Sequence, residues 1–344
     1  MLRSWGSKLS EKGPPPRPDT IMRHSTSLYS SIAFFVGTQL DVFTILDEGP
    51  MTAEEVAAAL ETKPHFAERL LNALVAAEVV EVDGSRFSNT PESSHYLVKG
   101  KPGYLGEHVT VNPYLKYWMF EAGIKTAETF RKGEAVDSFD YEGLPFDALL
   151  GTFRGTMPVA VKAGEELAKR FDFSRYATVA DVGGASGGLI ASLAKAYPDV
   201  RYTVTDLPSV TPVAEALLKE QGMTDVDVVE WNVLEGPCGH KFDAVILRAL
   251  VQVFSPEHAR KAVKNIGASV NTGGSILVLG HVMDDSRTSP VEEVGWYLIN
   301  LNWEDKAGYY AEEDYREMLE EAGFKDITRE TLPNGDGLIH AVKA

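Results

Sequence analysis

One stretch of ten residues, VADVGGASGG at positions 179–188, constrains the fold of this 344-residue chain more than any other. An apolar run ends in an acid, Asp181, and glycines follow at 183, 184, 187 and 188. The next residues, LIASLAKAYP, carry helical spacing and stop before Pro198. Strand, glycine turn and helix in that order open a sheet whose strands bind ligands at their carboxyl ends. Glycine is needed there because the backbone must turn tightly and leave room for close approach. Further strand candidates are VRYTVTDLP, VDVVEWN, FDAVILR, GSILVLGHV and GLIHAVKA, with helical stretches such as TPVAEALLKEQG between the earlier ones. The alternation predicts an α/β fold with a mostly parallel sheet covered on both faces.

The loop chemistry narrows the ligand. A dinucleotide loop reads G-x-G-x-x-G. Counted from Gly183 the third position is Ala185, and no other start completes that pattern. The fit is better to D-x-G-x-G-x-G, with Asp181, Gly183, Ala185 in the middle glycine's place, and Gly187. S-adenosylmethionine (SAM) has no phosphate to cradle but carries an ammonium, which an acid at a strand end helps to hold. A second acid, Asp206, ends the next strand, where it is expected to accept hydrogen bonds from both ribose hydroxyls.

The N-terminal third has a different texture. Apolar residues recur at helical spacing from Thr20 to Leu46, and Thr52 with Glu55 forms a capping-box pattern. KPHFAERLLNALVAAEVV predicts a helix with Phe66, Leu70, Leu71, Leu74 and Val75 on one face, and Asp83-Gly84 a hairpin turn. Helices followed by a hairpin make a winged-helix pattern. With 33 Lys and Arg against 50 Asp and Glu, the formal net charge of −17 excludes general binding to nucleic acid or anionic membrane. A dimerisation and substrate-capping role is expected instead. The single Cys238 excludes an intramolecular disulfide and a Cys-rich metal site, and a cytoplasmic location fits. The expected organisation is a flexible leader over 1–19, a winged-helix dimerisation domain over 20–104, a helical linker and substrate-lining region over 105–170, and a Rossmann-like SAM-binding domain over 171–344.

DVGGASGG followed by PDVRYTVTDLPSV resembles the small-molecule O-methyltransferase family with an N-terminal winged-helix dimerisation domain. WNVLEGP, FDAVILRALVQVF, NTGGSILVLGHV and YYAEEDYREMLEEAGF fit the same pattern. The resemblance implies a class I SAM-dependent methyltransferase acting on a small molecule as a homodimer, without metal. It implies that Gly183, Gly184 and Gly187 line the methionine part of the cofactor, with Asp181 near the ammonium and Asp206 on the ribose. Leu207 and Trp231 are expected against the adenine, Asn232 near its amine, and Arg248 facing the cofactor.

The pattern breaks at LRALVQVFSPEH, residues 247–258. Where the family carries a histidine base this chain has Gln252, and where a glutamate would orient that base it has Gly280, followed by His281. A phenol has a pKa near ~10, and a positioned base contributes ~10²–10⁴-fold in rate. Three outcomes fit: His281 acts as a displaced base, methyl transfer is lost, or the acceptor carries no proton. The third leads to S-methylation of a thioether, as in the similar methylthiohydroxybutyrate S-methyltransferases of dimethylsulfoniopropionate synthesis. The alternatives are O- or C-methylation of an aromatic or polyketide-like metabolite with His281 as base, and a non-enzymatic SAM-sensing regulator. Gln252 and His281 are thus the candidate catalytic residues, and Tyr117, Trp118, Tyr141, Phe153, Arg154, Met157, Asn300 and Trp303 the candidate substrate-binding ones, with Asn302 beside them.

Overall fold

The computed structural model describes residues 17–101, 104–106, 121–136, 141–332 and 335–344. Two compact units divide the chain, Met1–Thr110 and Val111–Ala344.

In the first unit the Thr20–Leu46 stretch is broken at Asp41, whose φ of 56° ends one helix and starts another. Helices α1 (Asp19–Gln39), α2 (Val42–Leu46), α3 (Ala53–Ala59) and α4 (Pro64–Ala76) precede a hairpin, β1 (Val80–Asp83) and β2 (Arg86–Asn89), and a short α5 (Pro91–Tyr96). The capping box is formed: Thr52 N–H donates to Glu55 Oε2 at 2.7 Å, and Glu55 N–H to Thr52 Oγ1 at 3.3 Å. Asp83 pairs with Arg86 across the hairpin, and Gly84 takes the positive φ, +61°, that the turn demands. Val42, Phe43, Leu46, Val56, Leu71, Leu74 and Phe87 form the core. Phe66 departs from expectation and is 59% exposed. The buried stripe of α4 runs through Ala67, Leu71 and Leu74, and Phe66 lies one residue, about 100°, off it.

The second unit begins, among the described residues, with α6 (Ala122–Lys132) and α7 (Phe146–Arg170). An alternating series follows: β3 (Thr178–Val182), α8 (Gly188–Ala196), β4 (Arg201–Asp206), α9 (Thr211–Glu220), β5 (Asp227–Glu230), β6 (Phe242–Arg248), α10 (Pro256–Ala268) and β7 (Val270–Gly280). The chain ends in α11 (Val291–Asn300), α12 (Glu312–Glu321), β8 (Phe324–Thr331) and β9 (Gly337–Lys343). The seven strands run β5-β4-β3-β6-β7-β9-β8. The first five are parallel, whereas β9 is antiparallel to β7 and β8 to β9. β8 was not among the strands expected from sequence.

Alternate strand residues feed two cores, as a pleated sheet covered on both faces requires. Ala180, Val182, Val245, Leu247, Ile276 and Val278 pack with α10 and α12. Val179, Ala244, Ile246, Leu277 and Leu279 pack in the other core with α8 residues. The register pairs Val182 with Thr205 and Leu247, and Arg248 with Leu279. Gly183, Asp206, Arg248 and His281 therefore emerge together at the carboxyl edge.

Candidate active site

The loop after β3 is built from residues with positive φ: Gly183 at 70°, Ala185 at 44° and Gly187 at 70°. Gly183 and Gly184 N–H both donate to Thr205 O, at 2.8 and 3.2 Å, which ties the loop to β4. A Cβ on Gly184 would lie 2.8 Å from Asp181 Oδ2, so any side chain there would crowd that carboxylate. Ala185 adopts the left-handed conformation although it is not glycine, a strained choice of the kind found at ligand sites. Its N–H donates to Asp206 Oδ2 at 2.9 Å, while Asp206 Oδ1 accepts from Leu207 N–H at 2.8 Å.

Asp181 is 2% exposed, and burial, with a smaller push from Asp206, raises its pKa to about 7 against the pull of Arg248. Its Oδ1 is buried with no hydrogen-bond partner. A carboxylate oxygen left in that condition is costly unless something else approaches it. A ligand ammonium meets the need, so the donor set fits SAM. Burial also raises the pKa of Asp206 against its two backbone hydrogen bonds. Burial lowers that of the half-buried Arg248, with Asp336 and Asp181 opposing.

The decisive geometry lies one residue past β7. His281 Nδ1 bonds a carboxylate oxygen of Glu293, and Glu293 is 2% exposed. Trp296 stacks on the imidazole with centroids 4.0 Å apart and planes within 12°. The Tyr297 hydroxyl donates to His281 O at 3.1 Å. These partners sit at i, i+3 and i+4 on α11, so a single helix face holds the histidine. With Nδ1 engaged by a carboxylate, Nε2 is the nitrogen left to accept a proton. Gly280 leaves the strand end without an acid, and the carboxylate beside His281 comes instead from Glu293, twelve residues downstream.

Residues 124–325 match the O-methyltransferase domain family and residues 22–99 its dimerisation domain. The chain belongs to the O-methyltransferase family. It is 31% identical to the N,N-dimethyltransferase OxyT of Streptomyces rimosus, over 96% of this chain and 98% of that one. It is 27% identical to the tetracenomycin polyketide synthesis 8-O-methyl transferase TcmO of Streptomyces glaucescens, over 93% and 95% of the two chains. The fold is similar to human N-acetylserotonin methyltransferase solved with SAM, with a TM-score of 0.75, 22% identity and coverage of 97% and 99%.

Within this methyltransferase domain the other candidate residues divide. Tyr141, Phe153, Met157, Ala185 and Leu207 share one apolar cluster, which joins α7 to the glycine loop. Tyr141 and Phe153 stack there with centroids 6.2 Å apart. Trp231 is 8% exposed within the core, and its indole N–H donates to Gly236 O at 2.9 Å. Asn232 is half-buried, with its side-chain oxygen accepting from Leu234 N–H at 3.0 Å. Arg154 does not join the cluster; it is half exposed and ion-paired with Glu220 at 2.5 Å. Asn302 is fully buried between Thr129 and Thr126, at 2.6 and 3.0 Å, which is a structural link between α6 and the end of α11. Asn300 is buried and Trp303 half-buried beside it. Gln252 is 3% exposed in a 3-10 turn, Val251–Val253, just past β6. Tyr117 and Trp118 lie outside the described residues. Sequence reasoning missed Glu293 and Trp296; the E-x-x-W-Y spacing in PVEEVGWYL was the available signal.

Proposed function

We propose that the chain transfers a methyl group from SAM to a hydroxyl of a small aromatic or polyketide-like molecule, with His281 as general base. The observation that carries the reading is the imidazole held by a buried carboxylate at the carboxyl edge of the sheet. SAM, when bound, supplies an electrophilic methyl on a sulfonium. The buried, unpartnered Asp181 oxygen is the residue to hold its ammonium, and Asp206 to hold its ribose. The apolar cluster of Tyr141, Phe153 and Met157 excludes water beside the loop. His281 Nε2 takes the hydroxyl proton as the acceptor oxygen attacks. Such a base is worth ~10²–10⁴-fold.

The thioether reading rested on a missing base and a missing partner, and the His281–Glu293 pair supports the hydroxyl reading instead. An amine acceptor, as in the name of the OxyT relative, uses the same arrangement, because an ammonium must also lose a proton before it attacks. The chain works as a homodimer on this reading, supported by the match to the dimerisation domain and by Ile21, Leu28 and Tyr29 exposed on α1. No helix of the described residues is long and apolar enough to cross a membrane.

The test is mass spectrometry after incubation with SAM and a panel of naphthols, catechols, an aromatic amine and 4-methylthio-2-hydroxybutyrate. A methylated hydroxyl, lost in H281A while SAM still binds, supports the reading. A sulfonium product from the thioether, formed equally by H281A, overturns it.

A further inference from the structure

We infer that Trp296, together with Glu293, positions His281 for proton removal, and that the indole face stabilises the cationic charge the imidazole acquires. The inference rests on His281 being the proton acceptor proposed above. Two independent contacts fix the ring. The carboxylate of Glu293 sets its direction within its own plane, through Nδ1. The indole sets the plane itself, 12° from parallel at 4.0 Å. Tyr297 pins the backbone of the same residue through His281 O and meets the imidazole edge-on, at 69°. Glu293 is 2% exposed, so its charge is poorly screened by water.

The charge balance gives the stack a chemical role. As the acceptor O–H proton passes to Nε2, the oxygen lone pair forms the O–CH3 bond. The S–CH3 bonding pair stays on sulfur, and S-adenosylhomocysteine leaves neutral at that atom. The positive charge that began on the sulfonium thus ends on His281. A cation over a tryptophan face is favoured by the ring quadrupole. Here the face is already in contact, and the Glu293 carboxylate lies on the opposite nitrogen from the incoming proton. Neither contact needs to form during the reaction, which is the economy of a preorganised site.

The experiment compares H281A, E293Q, W296F and W296L on two acceptors of one skeleton, 2-naphthol and a nitro-2-naphthol already ionised at the assay pH, with SAM affinity followed by calorimetry. W296L is expected to lose about 10-fold in kcat on 2-naphthol and less than about threefold on the ionised acceptor, which needs no base. W296F, which keeps a ring face, retains most of the rate, and SAM affinity is unchanged throughout. A readout independent of turnover is NMR of ¹⁵N-histidine protein: the His281 Nδ1–H resonance, shifted far downfield by the carboxylate, disappears in E293Q and broadens in W296L. Equal losses on both acceptors, a wild-type rate in W296L, or an unaltered resonance in these variants overturns the inference. If H281A also retains its rate on 2-naphthol, the reading of His281 as base falls first; if H281A is inactive and W296L is not, only the role of Trp296 falls.

Discussion

Ala185 N–H donates to Asp206 Oδ2 at 2.9 Å, and Ala185 does so in the left-handed conformation at φ 44°. The bond closes the glycine loop onto the end of β4, and strain at a non-glycine residue is the cost. An L-residue loses about 1–2 kcal/mol in that region, while glycine's extra unfolded-state freedom costs about 0.5–1 kcal/mol. A185G is therefore expected to hold or raise the melting temperature by a few degrees. A185V, branched at Cβ, is expected to lower it and weaken SAM binding together. Differential scanning calorimetry with and without SAM checks both.

Asp181 is expected to make cofactor binding depend on pH. Its pKa is raised to about 7 by burial, so much of the population is protonated at pH 6. An ammonium prefers the carboxylate, so SAM affinity is expected to rise from pH 6 to pH 8 with proton release. Calorimetry in two buffers of different ionisation enthalpy counts the protons. The sign for stability is the opposite. A carboxyl whose folded pKa exceeds its unfolded value stabilises the ligand-free protein at low pH, and that contribution fades as pH rises through about 7. D181N is expected to flatten this dependence while weakening SAM binding; affinity for SAM that stays constant from pH 6 to 8 in the native chain would refute the assignment.

Two polar residues at the carboxyl edge are expected to differ in kind. H281A should cost about 10²–10⁴-fold in kcat on a hydroxyl acceptor. Q252A, which removes a neutral amide of no useful basicity, should stay within about tenfold of wild type. Single-turnover kinetics with saturating SAM separate the chemical step from binding for both variants.

Asn302 is expected to matter for folding rather than for the acceptor. Its amide bridges Thr129 and Thr126 with no exposed surface. N302A removes both cross-links, leaving Thr126 and Thr129 only their bonds to Ala122 O and Lys125 O, and should destabilise by about 1–3 kcal/mol. Urea unfolding should show a lower midpoint with unchanged slope, and the KM of the refolded enzyme should not move.

The glycine loop, Asp181 and Asp206 were legible in the sequence because a strand, a turn and a helix that are adjacent in the chain build them. The capping box and the hairpin were legible for the same reason. β8 was not: FKDITRET alternates weakly, it stands at the edge of the sheet among the described residues, and most of its residues are exposed. Phe66 stands one position of helical phase off the buried stripe, and Arg154 pairs with Glu220, sixty-six residues away, a contact that no local pattern records.

The local order of residues alone determined an α/β sheet, a loop shaped for an ammonium and a ribose, and a chain related to small-molecule methyltransferases. Only the tertiary structure brought an imidazole, a buried carboxylate and an indole together beside the strand ends. His281 leaves the end of β7 and Glu293 and Trp296 rise from the first turns of α11, and no local pattern records how that helix folds back over the strand end. The pairing depends on where packing seats α11, a property of the assembled core rather than of any segment.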